Sequence, residues 1–347
     1  MRLKRGFSFI MIMAMTMAGA IAVGGSEVGA AAQKPADFYR GKRIDFIIPN
    51  APGDTSDLIA RVVVKYLDKY AGTTSVIRNV REAGGAQGLN ELYRAKPDGL
   101  TLGQTNTVRS TLAEIMEQPG VEYQTAKLSW IANITEDYMT FSVAPKSPFK
   151  TIADLKAGKN LILAASGGVG HSTLTCLALI EALDLDAKVI IYKSSGERSL
   201  AVAQGEVQGF FGSTSASLKG AQRGQSRLLF VLAAKRSPVI PDVPTLRELI
   251  TLPKEKAALM KLWEEDIFVM NSLFGTPGIP KDRLNYLREV AAKITNDPEF
   301  KMTMEKVSDS PLSVMSGSEL EKQFGSLLGR KAAIKQIYQR LQDKYLK

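Results

Sequence analysis

Cysteine and histidine are almost absent from this chain, which has one of each, Cys176 and His171, among 347 residues. A single cysteine excludes an intramolecular disulfide, and we expect it to be a small buried side chain. The two residues are five positions apart on a predicted helix, so they do not share a face and cannot form a Cys–His pair. Without a His/Cys cluster or a coupled acid, base and nucleophile, we expect no metal, no cofactor and no catalytic residues, and the chain is predicted not to be an enzyme.

Aromatic residues are also few, at 7% of the chain, although the net charge is +10. A nucleic-acid binder would show basic stripes with aromatic residues between them. The basic residues near the C-terminus alternate instead with acids, which is typical of solvated helix faces, so no nucleic-acid partner is expected. The two tryptophans, Trp130 and Trp263, are predicted to lie in the core.

The first 32 residues have the pattern of a signal peptide. Arg2, Lys4 and Arg5 precede an uncharged apolar run over residues 7–23, and small residues follow up to Ala32. The run is shorter than the ~20 residues that span a bilayer, which favours cleavage before Gln33 over a retained anchor helix. We therefore expect export to the periplasm, and no later segment is long and apolar enough to cross a membrane.

Strand and helix signals alternate along the remaining chain. Predicted strands at residues 44–48, 75–78 and 100–102 alternate with helices, which indicates a mostly parallel sheet. A second α/β unit begins near residue 151 with strands at 160–165, 189–192, 207–211 and 228–233. The last third is mostly helical, with one strand at 267–274 and a long helix over 318–346. The length of the chain and this order predict two domains.

Two glycine-containing turns each follow a predicted strand and lead into a predicted helix. Free backbone N–H groups at a helix N-terminus can bind an anion. The second turn is not a P-loop, because Ala165 and His171 occupy the positions of the first glycine and the lysine. Either turn can also be a plain helix cap. The candidate binding residues in the two turns are Ala51, Gly53, Asp54, Thr55, Ser56, Ser166, Gly168, Val169, Gly170, His171 and Ser172.

Polar residues also end strands in both predicted units, at Thr105 and Asn106 and at Ser213 and Thr214. Ligands gather at the carboxyl ends of strands in open α/β sheets, so these four residues are further candidates. Lys193 and Arg198 can supply positive charge, but we expect both at the surface.

An ordered set of segments resembles the substrate-binding proteins of tripartite tricarboxylate transporters, also called the Bug family. The resemblance covers almost all of the chain after the predicted signal. Its most specific segment runs from Ala234 to Thr245. The other matching segments begin at Phe38, include the Pro-Gly-x-x-x-Asp turn from Pro52 to Asp57, and continue through Ala83-Gly84-Gly85, Pro97-Asp98-Gly99, Gly168-Val169-Gly170 and Tyr192-Lys193.

The resemblance implies a type II periplasmic-binding-protein fold, with two α/β lobes, crossing hinge strands and a ligand cleft between the lobes. It implies that residues 33–137 and 245–347 form lobe 1 and residues 138–244 form lobe 2. The implied function is a monomeric periplasmic receptor that binds a small organic acid, with Gly84 among the ligand contacts, and delivers it to the membrane subunits of the transporter. A sensory receptor for a membrane signalling protein and a periplasmic enzyme on the same fold are the alternatives.

Asp54 and His171 depart from the family pattern, which usually has glycine and a small polar residue there. Asp54 near a ligand carboxylate would repel it, so either this side chain faces solvent or the ligand also carries a cation. His171 is either a loop residue or a donor to the ligand from lobe 2. Asp57 is expected to cap its own helix.

Overall fold

Short segments rich in β-branched, aromatic and leucine side chains form the strands of this computed structural model, which describes residues 34–166, 171–265, 269–308 and 312–346. The predicted signal peptide and the three residues Gly168, Val169 and Gly170 lie outside the described residues. The strands are β1 (Arg43–Ile48), β2 (Thr74–Asn79), β3 (Thr101–Asn106), β4 (Ser129–Glu136), β5 (Met139–Val143), β6 (Leu161–Ser166), β7 (Ala187–Tyr192), β8 (Gly209–Ser213), β9 (Arg227–Leu232), β10 (Val269–Gly275) and β11 (Leu312–Ser316).

Helices cover the sheets, and several begin at a Ser, Thr or Asn whose side chain accepts a hydrogen bond from the first turn. Among the described helices, none is both long and apolar enough to span a bilayer. The helices are α1 (Pro35–Tyr39), α2 (Thr55–Ala71), α3 (Ala86–Arg94), α4 (Thr107–Ile115), α5 (Ile152–Ala157), α6 (His171–Leu183), α7 (Ser195–Gln204), α8 (Thr214–Gln222), α9 (Leu246–Leu249), α10 (Lys254–Glu265), α11 (Lys281–Asn296), α12 (Pro298–Ser308), α13 (Gly317–Gly329) and α14 (Lys331–Tyr345), with 3₁₀ turns at Glu82–Gly85 and Thr125–Lys127.

The described strands form two separate sheets. The first has the order β11-β4-β10-β3-β1-β2, and the second has the order β7-β6-β8-β5-β9. In the first sheet β1 runs parallel to β2 and β3, whereas β10 is antiparallel to β3 and β4. In the second sheet β6 is parallel to β7 and β8, and β5 is antiparallel to both of its neighbours. The prediction of a mostly parallel sheet therefore holds for β1, β2 and β3 and is wrong for the rest of the first sheet. There, β10 pairs antiparallel with both β3 and β4, and β11 pairs antiparallel with β4.

The fold differs from the sequence prediction in three further ways. The predicted helix over residues 318–346 is two helices, α13 and α14, which meet at Arg330. Strand β11 pairs with β4 at the edge of the first sheet and was not predicted. Helices α4 and α8 begin where the sequence suggested only polar strand ends. The last difference matters most for function, because α4 contributes several residues to the candidate site, among them Arg109.

The chain passes between the sheets through Asp137 and Tyr138, which join β4 to β5. Asp137 is 5% exposed, and its carboxylate accepts hydrogen bonds from the N–H groups of Tyr138 (2.9 Å) and Thr214 (2.8 Å). The hydroxyl of Ser215 donates to the same carboxylate at 2.7 Å. Burial raises the pKa of Asp137, and these hydrogen bonds oppose that rise. The first crossing is therefore fixed to the start of α8.

The core contains the three residues for which burial was predicted. Trp130 is fully buried and stacks on Phe324 with the ring centroids 4.5 Å apart, and Trp263 is 3% exposed. Cys176 is a buried free cysteine on α6. These predictions are confirmed.

Helix α14 connects the two halves of the protein through ion pairs. Lys331 and Lys335 at its start bind Glu117, which follows α4. Near its end, Arg340 and Lys344 each lie 2.7 Å from the carboxylate of Glu181 on α6, and Tyr345 donates to the same group at 2.5 Å. Burial alone would raise the pKa of Glu181, but these three donors lower it to about 2. Glu181 therefore contributes stability above its ordinary pKa of 4.5, and this contribution is lost as the pH falls toward 2.

We predict that Glu181→Gln lowers the free energy of unfolding by about 1–2 kcal/mol at pH 7, since two cations lose an ionised partner that is largely shielded from solvent. Urea unfolding measures this change, and the exposed Glu305→Gln on α12 is the matched control, with an expected change below about 0.5 kcal/mol. The difference between the two variants should shrink between pH 5 and pH 3. An equal effect of both substitutions at pH 7 would contradict the role of Glu181.

Candidate functional site

Strands β1, β2 and β3 are parallel, so their carboxyl ends meet at one edge of the first sheet. A cavity of about 110 Å³ opens at this edge, beside α4. Residues from the ends of β1 and β3, from the 3₁₀ turn, from α3 and α4, and from the start of α6 line it. They are Pro49, Asn50, Ala83, Gly84, Gly85, Ala86, Leu89, Thr105, Arg109, Ser110, Leu112, Ala113, Gln118, Pro119, Val121, Tyr123 and His171.

The glycine turn at Glu82–Gly85 brings backbone close to both β1 and α4. Gly85 has a φ of +95°, and a Cβ added there would lie 2.5 Å from the carbonyl oxygen of Pro49. A Cβ added to Gly84 would lie 3.6 Å from Nη2 of Arg109. Larger side chains do not fit at Gly85, so main-chain atoms form this part of the cavity lining. The neighbouring Gly84 lies close to the guanidinium group of Arg109.

Arg109 is a cation of the cavity that sequence reasoning missed. It lies in the first turn of α4, where the side chain of Asn106 caps the helix by accepting a hydrogen bond from the Arg109 N–H at 3.2 Å. The Arg109 side chain is exposed, and no carboxylate among the described residues lies within 4 Å of its guanidinium. An asparagine that follows a strand is an N-cap signal, and it could have indicated that a helix rather than a turn follows β3.

The second sheet also contributes to this cavity through His171, which lines it. His171 is the first residue of α6, the helix that follows β6 of the second sheet. Its Nε2 has no hydrogen-bond partner in the described part of the chain. Burial lowers the pKa of His171 to about 4, so the imidazole is neutral at pH 7, with one nitrogen that donates a hydrogen bond and one that accepts. Of the predicted site residues, Gly84, Thr105 and His171 therefore lie together around this cavity.

Two amides of the first predicted binding turn have carboxylate acceptors close by in the sequence. The Gly53 N–H donates to the carboxylate of Asp57 at 2.9 Å, and the Ala51 N–H donates to Asp54 at 3.2 Å. Asp54 is exposed, and it occupies the N-cap position of α2 without a side-chain capping bond. Asp57 thus stabilises the turn before its helix.

Other predicted residues of the first lobe also have protein partners. The hydroxyl of Ser56 donates to the side chain of Asn271 on β10 at 3.0 Å. The hydroxyl of Thr105 donates to the side-chain oxygen of Asn50 at 3.2 Å, so these two residues fix each other beside the cavity. Thr55 is the first residue of α2.

The predicted residues of the second sheet are divided between two places. Ser166 ends β6, and Ser172 follows His171 in α6, on either side of the segment outside the described residues. Ser213 caps α8, and the backbone of Thr214 binds Asp137 at the crossing between the sheets. Ser213 and Thr214 therefore contact the crossing segment and are not among the residues that line the cavity.

Arg198 was predicted at the surface, and this prediction is wrong, because the residue is 5% exposed. Its guanidinium lies 4.8 Å from the centroid of the Phe210 ring and donates to the carbonyl oxygen of Phe211 at 3.0 Å. A helix residue between Glu197 and Ser199 gave no local sign of burial. Burial lowers the pKa of Arg198 from its usual value.

The family model described as "Tripartite tricarboxylate transporter family receptor" (TctC) matches residues 59–318. This chain belongs to the TctC family. The family resemblance inferred from the sequence is thus confirmed, and with it the coarser description of the chain as a solute-binding receptor rather than a member of an enzyme family. Among the TctC relatives, Protein BugT of Bordetella pertussis is 27% identical over 227 residues, which cover 64% of this chain and 70% of BugT.

Solved structures show the fold of the TctC chain. A TctC solute-binding protein from Polaromonas, without ligand, is 20% identical with a TM-score of 0.68, covering 88% of this chain and 99% of that one. MatC from Rhodopseudomonas palustris, with bound malate, is 20% identical with a TM-score of 0.65, covering 86% and 99%. The two sheets of this chain correspond to the two α/β lobes of periplasmic binding proteins, so the predicted fold class is confirmed.

We predict that Asp57→Asn destabilises the turn after β1. Asp57 is 1% exposed and accepts hydrogen bonds from Gly53 N–H, Asn79 Nδ2 (2.8 Å) and Arg61 Nε (2.9 Å). Burial would raise its pKa, but these donors hold the pKa below its usual value, so the stabilisation is present at neutral pH and is lost in acid. The free energy of unfolding should fall by about 1–3 kcal/mol at pH 7 in urea unfolding. The exposed Asp54→Asn is the control, and an equal loss in both variants would contradict this assignment.

We also predict that His171 titrates far below an ordinary histidine. Since the chain has one histidine, tag-free protein should show a single imidazole Cε1–H resonance in proton NMR. Its midpoint should lie near pH 4 in the folded protein and return to about 6.5 in urea. A folded-state midpoint between pH 6 and 7 would show that the ring is solvated and would contradict its burial beside the cavity.

Proposed function

We propose that this chain is a periplasmic receptor that binds a small organic carboxylate between its two lobes and delivers it to the membrane subunits of a tripartite tricarboxylate-type transporter. The single observation that carries this proposal is the cavity at the ends of β1 and β3, which contains a guanidinium without a carboxylate partner among the described residues. Membership of the TctC family supports the transport role, and the malate bound to MatC supports a carboxylate as ligand.

The chemistry of the cavity favours reversible binding over turnover. The described residues contain no group of three or more His, Cys, Asp or Glu side chains that could hold a metal ion. The cavity lining has one imidazole and one guanidinium but no carboxylate or thiol, and among the described residues no hydroxyl is hydrogen-bonded to His171 Nε2. The arrangement therefore gives no support to the coupled base and nucleophile that hydrolysis requires. Its donors can hold an anion without activating a nucleophile.

The location and motion of the receptor follow from the same proposal. Residues 1–32 are removed near Ala32 on export, and the mature receptor acts as a monomer. Lobe 1 comprises residues 33–137 and 245–347, and lobe 2 comprises residues 138–244. The lobes close on the ligand by a hinge that includes Asp137, with the turn at Ala51–Ser56 and the described residues Ser166, His171 and Ser172 at the edges of the cleft.

We predict that small carboxylic acids stabilise the receptor whereas matched neutral amides do not. A thermal-shift screen over mono-, di- and tricarboxylates should find acids that raise the melting temperature, since a ligand at 100 times its Kd adds about 2.7 kcal/mol to stability. Isothermal titration calorimetry then gives the Kd and stoichiometry, with one site per chain expected. The absence of a shift with every acid, or consumption of a bound acid seen by NMR, would contradict the receptor proposal.

A further inference from the structure

The residues that line the cavity are of two kinds. Polar groups come from the side chains of Asn50, Thr105, Arg109, Ser110, Gln118 and His171 and from the main chain at Gly84. We call the apolar residues from α3, α4 and the segment after α4 the apolar wall, and they are Leu89, Leu112, Ala113, Pro119, Val121 and Tyr123. A ligand that fills this cavity therefore contacts both polar groups and hydrocarbon surface.

Positive charge occurs at one point of this lining. Arg109 is the only Lys or Arg among the lining residues that the structure describes, and no Asp or Glu is among them. A guanidinium presents paired N–H donors that match the two oxygens of one carboxylate. His171 faces the same cavity with an Nε2 that has no partner in the described residues, and it can add one neutral hydrogen bond from the opposite lobe.

The apolar wall has no cation for a second carboxylate. Leu89 is 3% exposed and Leu112 is 6% exposed. The phenol of Tyr123 already donates to the carbonyl oxygen of Ser110 at 2.9 Å, and burial raises its pKa, so it stays protonated and engaged. A carboxylate placed against this wall would lose its water without gaining a cation, which is strongly unfavourable.

We propose that the ligand is a small monocarboxylate with an apolar body, whose carboxylate pairs with Arg109 and His171 and whose hydrocarbon part packs against Leu89, Leu112 and Val121. This inference rests on the proposed receptor function and narrows its ligand class. It makes Arg109 the specificity-determining residue, and it assigns to this TctC chain a preference for one charge over the two charges of a ligand such as the malate bound to MatC.

Matched acid pairs test the preference for one charge directly. Hexanoate and adipate have the same carbon chain and differ by one terminal carboxylate, and butyrate and succinate form a second pair. Calorimetry on the mature protein should show that hexanoate binds at least tenfold more tightly than adipate, and butyrate more tightly than succinate. Within the monocarboxylates, each further methylene that the wall covers should tighten binding by up to about fourfold.

Substitutions at Arg109 test the pairing. Arg109→Gln should weaken hexanoate binding by about 10- to 100-fold, the range expected when a hydrogen-bonded charge is lost. Arg109→Lys keeps the charge but not the paired donors, and it should recover part of the affinity. The matched control is Arg40→Gln, because Arg40 is an exposed arginine between α1 and β1 that does not line the cavity. The affinity of this variant for hexanoate should change less than twofold. Since the Arg109 side chain is exposed, melting temperatures without ligand should stay within about 2 °C of the parent protein for all three variants.

The outcomes separate this inference from the receptor function. Adipate binding as tightly as hexanoate or more tightly, with Arg109→Gln weakening both, would leave the receptor function standing and overturn the single-charge preference. Equal affinities of Arg109→Gln and Arg40→Gln for hexanoate would overturn the role of Arg109. If no acid of the panel binds the parent protein, the receptor function itself fails.

Discussion

The carboxylate of Asp57 fixes the edge of the first sheet on which the candidate site depends. It binds the Gly53 N–H of the turn after β1, Asn79 at the end of β2 and Arg61 of α2, so a single buried group joins three elements. Asn79 also donates to the carbonyl oxygen of Asn50 at 3.1 Å, and Asn50 in turn accepts from Thr105 on β3. The three strand ends are therefore held in one arrangement before a ligand arrives, which reduces the entropy that binding has to offset.

The same interaction decides which donors are available to a ligand. Because Asp54 and Asp57 accept hydrogen bonds from the amides of Ala51 and Gly53, these two amides are occupied in this conformation. In contrast, the Arg109 guanidinium has no carboxylate partner and His171 Nε2 has no hydrogen-bond partner among the described residues. The two residues belong to α4 and α6, helices that begin at the cavity and pack against each other. Helix α14 connects the same two halves through Glu117 and Glu181. The two residues proposed to bind the acid therefore belong to the helices that α14 contacts.

Local patterns in the sequence predicted much of the fold. The apolar runs of β1 and β6 and the helix periodicity of α2 are local signals, and the family segments identified the two-lobed architecture. The antiparallel entry of β10 between β3 and β4 depends on pairing between residues more than a hundred positions apart, which no local pattern encodes. Arg109 was missed for a related reason. The segment from Thr107 to Thr111 is rich in β-branched residues with weak helix preference, and tertiary packing makes it a helix. Arg198 was predicted at the surface because its own helix shows no sign of its contacts with Phe210 and Phe211 on the next strand, β8.

The central claim is that an acid group binds at the start of α4 and α6, where Arg109 and His171 line the same cavity. A crystal structure with the tightest-binding acid tests this most directly. The account predicts density for the carboxylate within about 3 Å of both the Arg109 guanidinium and His171 Nε2, with the rest of the acid against Leu89 and Leu112. A carboxylate held instead by the amides of the turn at Ala51–Ser56, with Arg109 left in solvent, would contradict it.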